Sequence, residues 1–176
     1  MNPITINGNW LDSVKDSIPE HAEDIKTNLL HVMENHGLAK VDAHGCAYAA
    51  AIAACNGGLA FEIEMNSPLF MHENERAATK AAAALMGMNN AWFPFTELCG
   101  IELNDPKDTF MYSHSTHGVS KKKFYMYSLA ASIVGKCNYS IKFHYDALLA
   151  EGMTVEQLSN IGKIASVVNA VGRIAI

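Results

Sequence analysis

Two predicted helices meet in the stretch Gly135-Lys136-Cys137-Asn138-Tyr139-Ser140-Ile141-Lys142-Phe143-His144, which contains the residues that decide how this chain is assigned. A thiol, a hydroxyl and an imidazole follow one another there at spacings of three and then four residues. On one continuous helix, positions i, i+3 and i+7 share a face. We therefore expect Cys137, Ser140 and His144 to form a row along the axis of a helix that begins just after Gly135.

The composition predicts an all-α protein of one domain. A chain of 176 residues is long enough to bury a substantial core. Nearly half of its residues are apolar, and Ala, Leu, Ile and Met dominate over the residues that favour strands. We therefore expect a single helical domain over residues 1–176.

Charge and hydropathy argue against nucleic-acid and membrane partners. The formal charge of -5 does not favour nucleic-acid binding, which is usually accompanied by a basic stripe. The first thirty residues lack the continuous apolar segment of a signal peptide, and the alanine-rich run 47–54 is too short to span a bilayer. We expect a cytoplasmic protein that binds neither nucleic acid nor membranes.

Capping signals and apolar spacing place the helices along the chain. Ser17 to Glu20 reads as a capping box that opens an N-terminal helix over 17–36, and Thr154 to Gln157 reads as a second box that opens the last helix. A long helix from about His72 is expected to end or bend at Asn89-Asn90, and 99–120 is the expected long loop. The remaining predicted helical segments are 42–56, 59–65, 120–135 and 137–149.

An internal echo suggests two related halves. The run from Tyr48 to Cys55-Asn56 resembles the run from Ala130 to Cys137-Asn138, and both Cys-Asn pairs lie at a predicted helix junction. We predict two similar helical halves, roughly 38–98 and 120–176, packed about a pseudo-twofold axis. Chance similarity between alanine-rich helices is the alternative.

The position of Cys137 at a helix start predicts a reactive thiol. Unpaired backbone N–H groups at a helix N-terminus stabilise a thiolate, and Lys136 adds a positive charge, so we expect a lowered thiol pKa and a sulfur within reach of solvent. His144 lies about 10 Å further along the helix axis, so a proton relay would need Ser140 or a water between them. The alternative is a buried structural cysteine, since free cysteines are often simply packed.

The other candidate groups have plainer readings. His114-x-x-His117 has the spacing of a metal site but lies in the predicted loop without a partnering Cys or carboxylate, so we expect no metal. No Cys-x-x-Cys pair is present, and we expect Cys46, Cys55 and Cys99 to be packed thiols; Cys55 occupies the repeat position of Cys137. No cofactor is expected, and the methionines at positions 65, 71, 86 and 88 read as core residues.

Four segments resemble one known family, the AhpD-type alkylhydroperoxidases of the carboxymuconolactone decarboxylase superfamily. They are residues 19–26, the specific block Ala82-Ala-Ala-Leu-Met-Gly-Met-Asn-Asn90, residues 124–144 and the helix after Thr154. The resemblance implies an all-α fold of two similar halves, commonly assembled as a homotrimer. It also implies a Cys-x-x-Cys disulfide cycle that passes electrons from protein-bound dihydrolipoamide to a peroxiredoxin partner.

The family's site has four chemical groups: two cysteines, a histidine and a glutamate. Matched residue by residue, this sequence retains two of them. Cys137 matches the first cysteine and His144 matches the assisting histidine, whereas Ser140 stands where the second cysteine belongs. Tyr125 stands where a glutamate is expected, and Tyr139 fits the aromatic position inside the motif. A serine cannot form a disulfide, and a tyrosine with a usual pKa of about 10 is not a carboxylate base at neutral pH. The intramolecular dithiol cycle is therefore excluded.

Three hypotheses follow for the function. The first is a one-cysteine peroxidase or thiol-exchange protein of antioxidant defence, in which an external thiol resolves an oxidised Cys137. The second is a non-catalytic homologue that keeps an oligomeric helical scaffold for binding or assembly. The third is a decarboxylase-like site with His144 as general base and Tyr125 or Tyr139 orienting a small acid; it requires an Arg or Lys near His144.

Overall fold

The computed structural model describes residues 9–102 and 117–174, and every regular element within them is helical. This confirms the predicted all-α class. Positions 103–116 of the expected long loop, which include His114, lie outside the described residues. The α-helices are α1 (Trp10–Ser17), α2 (Glu23–Glu34), α3 (Lys40–Ala53), α4 (Gly57–Asn66), α5 (Glu73–Cys99), α6 (Lys121–Gly135), α7 (Asn138–Ala150) and α8 (Val155–Val171), with short 3₁₀ turns at Glu20–Ala22 and Ser67–Leu69.

Helices α3 and α6 form the centre of the molecule. Each contains an uninterrupted buried run, 43–51 in α3 and 124–132 in α6. A helix buried on all sides must be surrounded by others, and α5 and α8 pack against both central helices. The two axes approach closely at Gly45, where a Cβ atom would lie 2.1 Å from Cε1 of Tyr127. Only glycine leaves room for that ring.

The junction between α6 and α7 is fixed by α5. At Gly135 an added Cβ would lie 1.9 Å from Nδ2 of Asn90, and that amide donates a hydrogen bond to the Ala131 carbonyl at 3.3 Å. Lys136 then adopts a left-handed conformation with φ of 58°, and its N–H bonds back to the end of α6. Cys137 follows in an extended conformation as the N-cap of α7. The close approach of Asn90 therefore sets where the chain turns into α7.

Helix α5 is longer than the sequence predicts. It continues through Asn89-Asn90 and across Pro94 to Cys99, and it ends at Gly100 with φ of 64°. The expected end at Asn89-Asn90 is wrong because the side chain of Asn90 bonds to α6 instead of competing for the backbone of its own helix.

The predicted helix over 17–36 is present, but its predicted start at Ser17 is wrong. Ser17 is the last residue of α1, and its hydroxyl donates to the Val14 carbonyl at 2.8 Å instead of capping a new helix. Pro19 then precedes the 3₁₀ turn, and α2 begins at Glu23. The sequence reasoning missed α1, which Asn9 caps and whose Trp10 is fully buried. By contrast, the capping box of Thr154 and Gln157 is confirmed at the start of α8.

The order of a helix, a shorter helix and a longer helix occurs twice, in α3–α5 and in α6–α8. The left-handed junction residues are Cys55 in the first set and Lys136 in the second, and Asn56 and Cys137 are the N-caps that follow. By backbone conformation, Asn56 therefore corresponds to Cys137. The sequence similarity instead pairs Cys55 with Cys137, which differs by one residue. The relation between the two halves stays a prediction.

Candidate active site

The row predicted along α7 lies on a buried face of that helix. Cys137 is the N-cap, Ser140 is in the first turn, and His144 follows one turn later. Their side chains are almost inaccessible to bulk solvent, because α7 packs against α6 and α5 along this face. The structure therefore brings the three residues together at one helix–helix interface.

The expected solvent exposure of Cys137 is wrong. Its side chain is 1% exposed, and the hydroxyl of Ser140 donates a hydrogen bond to Sγ at 3.3 Å. The backbone N–H of Cys137 bonds to the Ser132 carbonyl at 3.4 Å, which ties the start of α7 to the last turn of α6. The helix start is thus covered by its neighbours, and Ser140 is the polar contact that the structure gives this sulfur.

His144 is oriented by a methionine of α5. Its Nε2 lies 3.3 Å from Sδ of Met86. A thioether sulfur can only accept a hydrogen bond, so this contact is assigned to the imidazole tautomer that carries its hydrogen on Nε2. The sequence reading of Met86 as core filler missed this contact, since spacing within one helix gives no information about contacts between helices.

Tyr125 lies beside His144, where the resemblance leads one to expect a glutamate. The ring centroids of Tyr125 and His144 are 5.2 Å apart, and Phe143 adds a third ring 5.1 Å from the imidazole. Nζ of Lys121 lies 5.2 Å from the centroid of the Tyr125 ring. These contacts fix the imidazole within an aromatic cluster.

An inner cavity of about 300 Å³ adjoins this row. Its walls are apolar on most sides, with Ser140, His144 and Asn89 as the polar groups, whereas neither Cys137 nor Tyr125 lines it. The residues that form it come from α5 (Leu85, Met86, Asn89 and Phe93) and from α7 (Tyr139, Ser140, Phe143 and His144). Ser140 therefore touches both the cavity and the sulfur of Cys137.

A wider outer groove of about 630 Å³ lies next to the inner cavity. Both are lined by Phe93, Tyr139 and Phe143, and the rings of Phe93 and Tyr139 are 4.3 Å apart. Tyr139 and Phe143 are about half exposed, which leaves aromatic surface at the entrance. An apolar molecule could therefore approach Ser140 and His144 along aromatic walls.

The remaining cysteines do not reach this site as disulfide partners, and all four cysteines are free thiols. Cys46 is packed as expected, with Sγ 3.7 Å from the Met126 carbonyl, and burial raises the pKa of its thiol. The same expectation is wrong for Cys55 and Cys99, which are exposed. Both lie at helix ends, where no neighbouring helix covers the thiol.

The described part of the chain contains no group of three or more His, Cys, Asp or Glu side chains that could hold a metal ion. Instead, the ring of His117 stacks on Phe124 at 4.2 Å, and its Nδ1 accepts a hydrogen bond from the Val119 N–H. Among the helices of residues 9–102 and 117–174, none has both the length and the apolar character to cross a membrane.

An all-α fold with an N-cap cysteine followed on the same face by a histidine defines a class of helical thiol-site proteins. The model of the carboxymuconolactone decarboxylase family matches residues 108–175. Three proteins named alkyl hydroperoxide reductase AhpD align over most of the chain. The Coxiella burnetii protein (strain RSA 493 / Nine Mile phase I) is 30% identical over 171 residues, covering 94% of this chain and 97% of its own. The Rhodospirillum centenum protein is 31% identical, covering 93% and 89%, and the Streptomyces griseus protein is 32% identical, covering 92% and 93%.

This chain therefore belongs to the AhpD-like branch of the carboxymuconolactone decarboxylase family.

Proposed function

We propose that this protein is a one-cysteine peroxidase of AhpD descent, in which Cys137 reduces small apolar hydroperoxides. The observation that carries the proposal is the hydrogen bond from Ser140 to the sulfur of Cys137, at 3.3 Å, behind the wall of an apolar cavity. A hydrogen bond to an anionic acceptor is stronger than one to a neutral acceptor. The same hydroxyl therefore supports the negative charge that forms on sulfur as its proton leaves.

The reaction balances with an external thiol as reductant. The Cys137 thiolate attacks the terminal peroxide oxygen, an S–O bond forms, the O–O bond breaks, and the alkoxide leaves as an alcohol after taking a proton. His144 is the group proposed to carry that proton, and Tyr125 is proposed to position its ring. The sulfenic acid then reacts with one thiol to give a mixed disulfide and water, and a second thiol restores Cys137.

The donor and the assembly are proposals that rest on family membership. Because Ser140 cannot resolve the sulfenic acid, an external dithiol such as a protein-bound dihydrolipoyl group takes that role, and a peroxiredoxin is the second candidate partner. A homotrimer is the proposed oligomeric state. Light scattering after size-exclusion chromatography tests the trimer, and a mass corresponding to a monomer would exclude it.

The test of the function is peroxide consumption by the Cys137→Ala variant. With cumene hydroperoxide and dihydrolipoamide, the parent protein should consume peroxide and form a dimedone adduct at Cys137, whereas the variant should do neither. Cys55→Ala is the matched control, because it removes an exposed thiol outside the site. Equal consumption by the parent protein and Cys137→Ala would contradict the proposal.

A second candidate is a non-catalytic binding or assembly protein. It is favoured by the burial of Cys137 and by its absence from the cavity lining. If the protein is non-catalytic, the Cys137→Ala variant retains every cellular phenotype of the gene. Loss of a phenotype in that variant would exclude this candidate. The decarboxylase-like function is not proposed, because among the described residues no Arg or Lys lines the inner cavity beside His144; Lys142 lines the outer groove instead.

A further inference from the structure

Met86 lies at the inner cavity in a position that the proposed function does not use. Its side chain lines the cavity, and Sδ contacts Nε2 of His144 at 3.3 Å. Cys137, in contrast, lies behind Ser140 and does not line the cavity. Of the two sulfurs, the thioether is therefore the one that a molecule inside the cavity meets directly.

We propose that Met86 is a second redox site, which small apolar hydroperoxides in the inner cavity oxidise to methionine sulfoxide. The walls contributed by Leu85, Phe93 and Phe143 favour an uncharged, apolar oxidant. Bulk solvent has almost no access to this side chain, which is 1% exposed. Its oxidation therefore depends on the cavity and selects for oxidants that partition into apolar surroundings.

The reaction needs no reductant and no further reactant. A lone pair of the Met86 sulfur attacks the terminal oxygen of the hydroperoxide, an S–O bond forms and the O–O bond breaks. The thioether loses two electrons to the peroxide, and the hydroperoxide proton ends on the departing alkoxide, giving sulfoxide and alcohol. The proton on the transferred oxygen passes to the departing alkoxide, and Nε2 of His144, 3.3 Å from this sulfur, is placed to donate a hydrogen bond to that oxygen as the S–O bond forms.

The product changes the site in a defined way. A sulfoxide oxygen is a polar acceptor where the thioether was a weak one, so it binds the N–H of His144 more strongly and puts a polar atom into an apolar cavity. The oxidised protein should therefore bind apolar molecules less well than the reduced protein. Oxidation of Met86 thereby indicates that organic hydroperoxide has entered the cavity beside the proposed thiol site.

Other methionines provide internal controls. Met71 and Met126 are about as buried as Met86, at 3% exposed each, but neither lines the inner cavity. Met88 is partly exposed on the same helix. If exposure alone decided the rate, Met88 would be oxidised before Met86, and Met86 would react as slowly as Met71.

The experiment measures sulfoxide formation at each methionine by peptide mass spectrometry. It uses the full-length Cys137→Ala variant, so that the result does not depend on the proposed thiol activity. With cumene hydroperoxide, Met86 should gain one oxygen at least about tenfold faster than Met71 and Met126, which is less than the roughly hundredfold or larger effect usual for a positioned proton donor. With hydrogen peroxide, which is small and polar, Met88 should instead react before Met86.

Variants of His144 separate chemistry from packing. His144→Phe keeps a ring but removes the N–H donor, and it should slow oxidation of Met86 about tenfold, whereas His144→Gln keeps an N–H donor and should recover part of the rate. Equal rates at Met86 and Met71 with cumene hydroperoxide would overturn the proposal. Equal rates in the two His144 variants and their parent would overturn the role of the imidazole.

Discussion

Replacing Ser140 with cysteine should convert the buried pair at the start of α7 into a disulfide. Oγ of Ser140 already lies 3.3 Å from Sγ of Cys137, so the two side chains face each other across the first turn of the helix. A disulfide needs sulfur atoms about 2.05 Å apart and Cα atoms within about 7 Å. Positions i and i+3 of a helical turn meet the second condition, and a small rotation of χ1 meets the first.

The expected gain in stability follows from the size of the closed loop. For a loop of about four residues, the chain-entropy relation gives about 2 kcal/mol at 25 °C in favour of the oxidised form. For a domain of this size, about 2 kcal/mol corresponds to an increase in Tm of about 4–8 °C. Strain in the short loop would reduce this gain in stability, so the upper end of the Tm range is the largest increase that we expect.

The assay compares Ser140→Cys after treatment with diamide and after treatment with dithiothreitol. Intact mass should fall by two hydrogens on oxidation, and calorimetry should show the higher Tm only in the oxidised sample. The double variant Cys137→Ala/Ser140→Cys is the matched control and should show neither change. Consumption of cumene hydroperoxide with dihydrolipoamide should also rise above that of the parent protein. Two free thiols at these positions after diamide treatment would refute the geometric reasoning.

Three further predictions concern residues of helices α6, α8 and α3. Gly135→Ala should lower the free energy of unfolding by about 1–3 kcal/mol in urea titrations, because its Cβ would overlap the side chain of Asn90; an unchanged midpoint would contradict this. Thr154→Ala should cost about 1 kcal/mol by removing the hydrogen bond to the Gln157 N–H, and Thr154→Ser should restore most of it. Burial lowers the pKa of His44, so the folded protein binds fewer protons than the unfolded chain. The stability that depends on neutral His44 should be full above about pH 6.5 and should fall as the pH drops towards the folded pKa. The fall should be smaller in His44→Gln, and a fall of the same size in that variant would contradict the assignment.

The sequence predicted the helical class and most helix positions, because both depend on local chemistry. The start of α8 was predictable from Thr154 and Gln157, whose capping bonds lie within one turn. The continuation of α5 past Asn89 was not, since the residue that binds the Asn90 amide lies on α6. The boundary between α1 and α2 within 17–36 was missed for a similar reason. The hydroxyl of Ser17 donates to the Val14 carbonyl inside α1, and the position of α1 depends on its packing against other helices.

At the site, residue spacing predicted the correct face of α7 but not its surroundings. The spacing of Cys137, Ser140 and His144 was sufficient to place them in one row, and the resemblance placed Tyr125 beside them. The burial of the thiol agrees with the alternative prediction of a packed cysteine; local spacing could not decide between the two, because a helix N-terminus is exposed only when no neighbouring helix covers it. Met86 was missed because its contact with His144 joins two different helices.

The serine at the second position of the motif is compatible with its burial only because of the neighbouring sulfur. A buried hydroxyl without a hydrogen-bond partner costs roughly 1–3 kcal/mol, and Ser140 is 2% exposed. Its donation to Cys137 offsets that cost, although sulfur is a weak acceptor when it is a thiol and a strong one when it carries charge. An alanine would fill this position without any polar group to satisfy. The hydroxyl therefore has its hydrogen-bond partner in Cys137, which ties the stability of this helix start to the residue proposed to carry the chemistry.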